Sequence, residues 1–194
     1  MRFQPLEISG AALIGLERKA DSRGFFARTF CVSEFSAHGL PSAAVQASIS
    51  YNEQRGTVRG LHFQWPPSQE GKLVRCIRGS LFDVLLDLRP ASPTYLQHRT
   101  VRLDETNRDS VFIPHGVAHG FQTLADRTEV LYQMTDFFAA DLSSGVRWND
   151  RAFGIEWPLD DVVISERDAA CPDFDRGRFE DELARRAAAA PSVR

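Results

Sequence analysis

A chain of 194 residues, 43% hydrophobic and 25% charged, suits one domain with a proper core. Its net charge of −3 offers no basic footprint for nucleic acid or an anionic membrane surface. The longest apolar runs, such as Leu81 to Leu88, are far too short to span a bilayer. Met1-Arg2-Phe3-Gln4-Pro5 lacks the apolar stretch of a signal peptide, so the expected location is the cytoplasm. Cys31, Cys76 and Cys171 are odd in number and widely spaced, which argues against a disulfide framework or a zinc ribbon. Each reads as a small buried apolar residue.

In chain order, Ser33-Glu34-Phe35-Ser36 places a capping residue before a short helix that stops near Gly39. The middle of the chain is rich in β-branched and aromatic residues and is punctuated by Gly, Pro, Asn and Asp. It predicts strands over Ala44–Tyr51, Thr57–Gln64, Lys72–Arg78, Leu81–Leu88, Gln97–Leu103, Ser110–Ile113, Ala118–Leu124 and Thr128–Met134. Arg78-Gly79-Ser80 and Pro114-His115-Gly116 read as tight turns. Ser165-Glu166-Arg167-Asp168 reads as a capping box. Residues 178–190 favour helix, with a frayed end from Pro191. Short strands without long helices between them predict an all-β antiparallel sandwich or barrel, with short peripheral helices and a C-terminal helix. The expected division is a β domain over 1–174 and a helical tail over 175–194.

Several residues could carry chemistry. Arg59 and His62 lie three apart on one predicted strand, so a flat strand would turn them to opposite faces. A bulge at Gly60 could bring both into one cavity. His62 could equally be a hydrogen-bonded barrel histidine, Lys72 a solvent-facing edge lysine, and Tyr132 a core tyrosine bonded to backbone. His119 falls near a barrel mouth, after a strand and a Pro-Gly turn. A metal-binding barrel would want two histidines separated by one residue, but here the pair is His62 and Gln64, with Glu70 following on a Pro-rich loop. Glutamine is a poor transition-metal ligand beside imidazole and carboxylate, so no metal is expected.

Arg59-Gly-Leu-His-Phe-Gln64, Gly71-Lys-Leu-Val-Arg75, 79–89, Ser92-Pro-Thr94, Ile113–Phe121 and Glu129-Val-Leu-Tyr132 together resemble the dTDP-4-dehydrorhamnose 3,5-epimerases. So do Asp21-Ser-Arg-Gly-Phe-Phe26 near the start and Gly154-Ile-Glu-Trp-Pro-Leu159 near the end. The fragments run in order, at family-like spacing, from about residue 5 to 174. The resemblance implies a cupin-type jelly-roll barrel, a homodimer with strands shared between subunits, and no cofactor. It implies a nucleoside-diphosphate 4-keto-6-deoxyhexose substrate epimerised at C3, alone or together with C5.

The resemblance also implies roles. His62 would be the base, Tyr132 the acid, Lys72 the enolate stabiliser and Asp168 the carboxylate that orients His62. A ketone acidifies the hydrogens on its neighbouring carbons, and imidazole titrates near neutrality, so these residue types suit proton exchange there. Arg23 and Arg59 match diphosphate contacts, Phe26 a base-packing residue, His119 a sugar contact, and Gln46 with Ser48 a Gln-x-Asn pair. Arg28, Ser48, Phe138 and Ser143 depart from the family pattern. Two other readings stand beside this one: a metal-dependent cupin isomerase or dioxygenase, and a non-catalytic sugar-nucleotide binding module.

Overall fold

The computed structural model describes residues 1–189. Ala190 and the predicted frayed end lie outside the described residues. The chain begins with β1 (Arg2–Pro5), β2 (Ala12–Gly15), β3 (Lys19–Asp21), β4 (Gly24–Phe26) and α1 (Val32–Ala37). The central run is β5 (Gln46–Asn52), β6 (Thr57–Gln64), β7 (Lys72–Arg78), β8 (Ser80–Asp87), β9 (His98–Asp104), β10 (Ser110–Ile113), β11 (Val117–Thr123) and β12 (Thr128–Met134). Then come β13 (Ser143–Gly145), β14 (Val163–Ile164), α2 (Glu166–Ala169) and α3 (Arg176–Ala189).

Two sheets make the barrel. One runs β1-β2-β10-β7-β12-β5 and the other β13-β6-β11-β8-β9, with β14 lying parallel to β6. All other pairings are antiparallel, so the fold is the cupin-type jelly roll that the sequence predicts. The inner faces enclose one core built around Val74, Cys76, Leu81, Leu85, Val111, Phe121 and Val130. α1 covers the back of the first sheet, where Phe35 packs with Ile14, Leu73 and Phe112. α3 and the segment before it cover the back of the second, where Phe179 packs with Phe63 and Trp65.

This double cover changes the burial pattern. The alternating run on β7 predicts one wet face, yet Leu73, Val74, Arg75 and Cys76 are all buried. The first sheet also has β1 and β2, which the sequence reading leaves unassigned. Both strands are only four residues long, too short for periodicity to stand out.

The feature that builds the site is the pairing of β6 with β11. His119 lies opposite His62, and Phe121 lies opposite Arg59. Two steps on β11 therefore match three on β6, and the extra residue is the bulge at Gly60 that brings Arg59 and His62 to one face. Gly60 has φ of +121°, and a Cβ there would stand 2.5 Å from the Gly120 Cα. Neither the backbone conformation nor the space admits a side chain. Gly60→Ala is expected to lower unfolding free energy by about 2 kcal/mol or more, read by denaturant titration.

Candidate active site

The catalytic candidates come from facing sheets. On the inner face of the first, Gln46, Met134 and Lys72 form one cross-strand row, and Ser48, Tyr132 and Val74 the next. The second sheet contributes Arg59 and His62 from β6 and His119 from β11. Between them lies a cavity of about 510 Å³ lined by Gln46, Ser48, His62, Lys72 and Tyr132 among others. A smaller cavity of about 250 Å³ shares Ser48, His62, Lys72 and Tyr132 with it and adds Arg59 and His119. The two form one cleft in the size range of small-molecule sites.

Asp168 reaches His62 from behind the cleft because β14 pairs with Thr57 and Val58, laying the following turn of α2 along β6. Its Oδ1 lies 2.7 Å from His62 Nε2, and its Oδ2 accepts the Gly60 N–H at 3.2 Å. The predicted capping box is only half formed. Ser165 Oγ accepts the Asp168 N–H at 3.2 Å, but both Asp168 oxygens are turned to β6 rather than back to the cap. Burial pushes the Asp168 carboxyl up, but the His62 hydrogen bond and charge, with the Gly60 amide, outweigh it and hold it below its ordinary value. The ionised carboxylate accepts, so His62 Nε2 carries the proton and Nδ1 is left as the basic nitrogen. The imidazole side chain is 41% exposed, toward the cleft.

Tyr132 packs edge-on to His119, with ring centroids 5.8 Å apart. Burial, then the Asp83 charge, push its phenol well above the ordinary tyrosine value, and Arg59 offsets this only in part. The phenol is therefore neutral and able to donate. His119 is itself buried, and its Nε2 lies 2.7 Å from Asp83 Oδ1. The sequence reading misses Asp83, although a lone acid inside Leu81-Phe-Asp-Val-Leu-Leu86 is a signal: it shares the inward face of Leu81 and Leu85. Asn52 is missed too. Its Oδ1 accepts from Arg59 Nε at 2.8 Å, and the Tyr51 carbonyl accepts from Nη2 at 3.3 Å, so β5 holds the guanidinium.

Gln64 spends its amide on scaffolding. Nε2 donates to Ser68 Oγ and the Phe137 carbonyl, and Oε1 accepts the Ala139 N–H. Glu70 pairs with Lys72 rather than turning toward His62. Among the described residues, no three His, Cys, Asp or Glu side chains converge as a metal would need. Gln46 Oε1 accepts the Phe138 N–H at 2.7 Å, which ties β5 to the cleft rim. Arg23 and Phe26 are not brought to the cleft of their own chain. They sit on the β3–β4 hairpin, where Arg23 pairs with Asp21 and the Phe26 ring is 75% exposed.

The model of the dTDP-4-dehydrorhamnose 3,5-epimerase family matches residues 5–176. The chain belongs to that family. It is accordingly an epimerase, an enzyme of the isomerase class. A dTDP-4-dehydrorhamnose 3,5-epimerase of Methanothermobacter thermautotrophicus is 45% identical over 170 residues, covering 86% of this chain and 91% of the relative. One from Sinorhizobium fredii is 42% identical over 173 residues, covering 89% of each. A crystal structure of a Legionella pneumophila dTDP-6-deoxy-D-glucose-3,5-epimerase in complex with dTDP-4-keto-L-rhamnose superposes with a TM-score of 0.86 at 32% identity, covering 94% of this chain and 96% of that one.

Three of the family departures fall in this epimerase at the mouth of the cleft: Ser48, Phe138 and Ser143 all line it. Arg167 Nη2 reaches Ser143 Oγ at 3.4 Å there. Arg28 lies elsewhere, paired with Glu34 at 2.8 Å.

The raised Tyr132 phenol makes a pH prediction. An unfolded tyrosine ionises near pH 10, whereas the native phenol resists ionisation. Stability supplied by the neutral phenol is complete below that value and is lost as pH rises above it. Tyr132→Phe lacks this dependence. Between about pH 9 and 11 the parent enzyme is expected to lose more unfolding free energy than the variant, measured by denaturant titration.

Proposed function

We propose that the enzyme epimerises a dTDP-linked 4-keto-6-deoxyhexose at C3 and C5, using its own side chains and no cofactor. One observation carries this reading: His62, Tyr132 and Lys72 line a single cleft, and Asp168 stands behind His62. The names of the Methanothermobacter and Sinorhizobium relatives, both dTDP-4-dehydrorhamnose 3,5-epimerases, support the substrate class and the two centres.

The chemistry follows from the ketone. His62 Nδ1 removes the hydrogen next to the C4 carbonyl, and the electron pair moves onto the carbonyl oxygen. Lys72 donates to that oxyanion and lowers the barrier to its formation. Tyr132 then returns a proton to the carbon from the other face, and both side chains recover their starting states by exchange with water. Asp168 fixes the His62 tautomer and stabilises the imidazolium while it lasts. His119, held by Asp83, contacts the sugar. Arg59 holds the diphosphate, and Gln46 with Ser48 contacts the nucleotide.

Arg23 and Phe26 complete the site from a second subunit. The hairpin that carries them is exposed and stands off its own chain's cleft, which suits a homodimer in which each hairpin reaches across. The β5 edge, with Ile49 61% exposed, is also left for a partner strand to cover. The enzyme acts in the cytoplasm, and among the described residues no helix is long and apolar enough to cross a membrane. The jelly roll over 1–174 does the chemistry, and the C-terminal segment supports it.

Hydrogen exchange tests the assignments. In deuterated water, His62→Ala is expected to abolish wash-in at C3 followed by NMR. Tyr132→Phe is expected to block product while some wash-in persists. Lys72→Ala is expected to slow turnover by about 10²–10³-fold. Full wash-in by His62→Ala removes that residue as the base. A mixing experiment tests the shared site. Inactive His62→Ala and Arg23→Ala proteins, combined and allowed to exchange subunits, are expected to recover about a quarter of parental activity. A site built within one chain would recover none.

A further inference from the structure

We propose that Glu70 is the positioning residue for Lys72, holding its ammonium toward the ketone end of the cleft. The inference rests on the reading of Lys72 as the oxyanion donor. The two side chains form an ion pair on the cleft wall, and both are nearly closed to solvent, at 6% for Glu70 and 13% for Lys72. Exposed ion pairs contribute little, but a buried one fixes its geometry, because parting the charges strands them away from water.

Glu70 does not merely happen to lie there. The loop that carries it is pinned from β12 onward. Asp136 Oδ2 accepts the Gln69 N–H at 2.9 Å and the Ser68 hydroxyl at 3.1 Å. Ser68 Oγ accepts the Glu70 N–H at 3.2 Å. Thr135 closes the turn, accepting the Gly71 N–H through Oγ1 at 2.7 Å and donating its own N–H to the Gly71 carbonyl at 3.0 Å. The hydrogen bond from the Gln69 amide leads the causes that hold the Asp136 carboxyl below its ordinary value, so the anchor is an anion at neutral pH. The result is a rigid carboxylate two residues before Lys72, on a loop that would otherwise be free to move.

The chemistry needs such a partner. A lysine ammonium is a point charge on a stem with about 2 kcal/mol of rotamer entropy, and it has no fixed direction of its own. With one N–H given to Glu70, the remaining two can face the cleft. The carboxylate also balances the ammonium. An uncompensated Lys72 would attract the substrate's diphosphate and compete with Arg59 for it. Lys72 and Lys19 are the only lysines in the chain, which makes the side chain readable by chemistry as well as by kinetics.

Trace acetylation with peptide mapping, using exposed Lys19 as internal reference, tests the grip directly. Glu70→Gln is expected to raise Lys72 modification severalfold relative to Lys19. The same variant is expected to lose about tenfold in kcat on a dTDP-4-keto-6-deoxyhexose while KM moves by less than about twofold. In a Lys72→Met background, Glu70→Gln is expected to cost nothing further, because Glu70 acts through Lys72. Unchanged labelling, an unchanged kcat, or a full additional loss in the Lys72→Met background would each overturn the proposal while the parent enzyme remains active. A parent enzyme that exchanges no substrate hydrogen overturns the reading of the cleft, and the role of Glu70 with it.

Discussion

One carboxylate ties the architecture to the chemistry. Asp168 is almost fully buried, and leaving such a charge without partners would cost several kcal/mol. It is satisfied by the two groups that matter most to the cleft: the amide freed from the ladder at the Gly60 bulge, and the imidazole of His62. Charged hydrogen bonds of this kind contribute about 1.5–3 kcal/mol each. The bulge that turns Arg59 and His62 to one face and the ring of His62 itself are therefore held by the same side chain. Loosening either loosens the other.

The rest of the molecule makes that arrangement stiff. Both backs of the barrel are covered, so β6 and β7 are gripped from both sides. Motif residues that look chemical prove to be carpentry. Asp87 accepts from Arg89, Ser92 and Thr94, which accounts for the Ser92-Pro-Thr94 fragment as a knot in the β8–β9 connection. Gln64 similarly nails the 136–139 segment to the end of β6. Both side chains spend most of their hydrogen-bonding capacity on the scaffold.

Much of this was legible in the sequence, for identifiable reasons. β6, β7, β10 and β12 have the predicted bounds because each is a long or sharply punctuated run of β-formers. The Gly60 bulge followed from two polar residues spaced three apart around a glycine. The short strands β1 to β4, β13 and β14 escaped because two to four residues carry no period. The Asp168–His62 contact was available only through resemblance, since the residue's local setting reads equally as a cap. Asp83 and Asn52 escaped for a different reason: each serves a side chain from another strand, and although a lone acid in an apolar run marks Asp83 as needing a partner, nothing local names His119 or Arg59 as the side chain served. Glu70 reads in the sequence only as a possible metal ligand, because its partner Lys72 is joined to it only on folding.

His62 and Asp168 stand 106 residues apart. A polypeptide emerging from the ribosome carries its imidazole long before the acid that directs it has been translated. β14 can dock beside β6 only once the second sheet exists to receive it. The contact between them is thus a property of the assembled barrel rather than of any fragment.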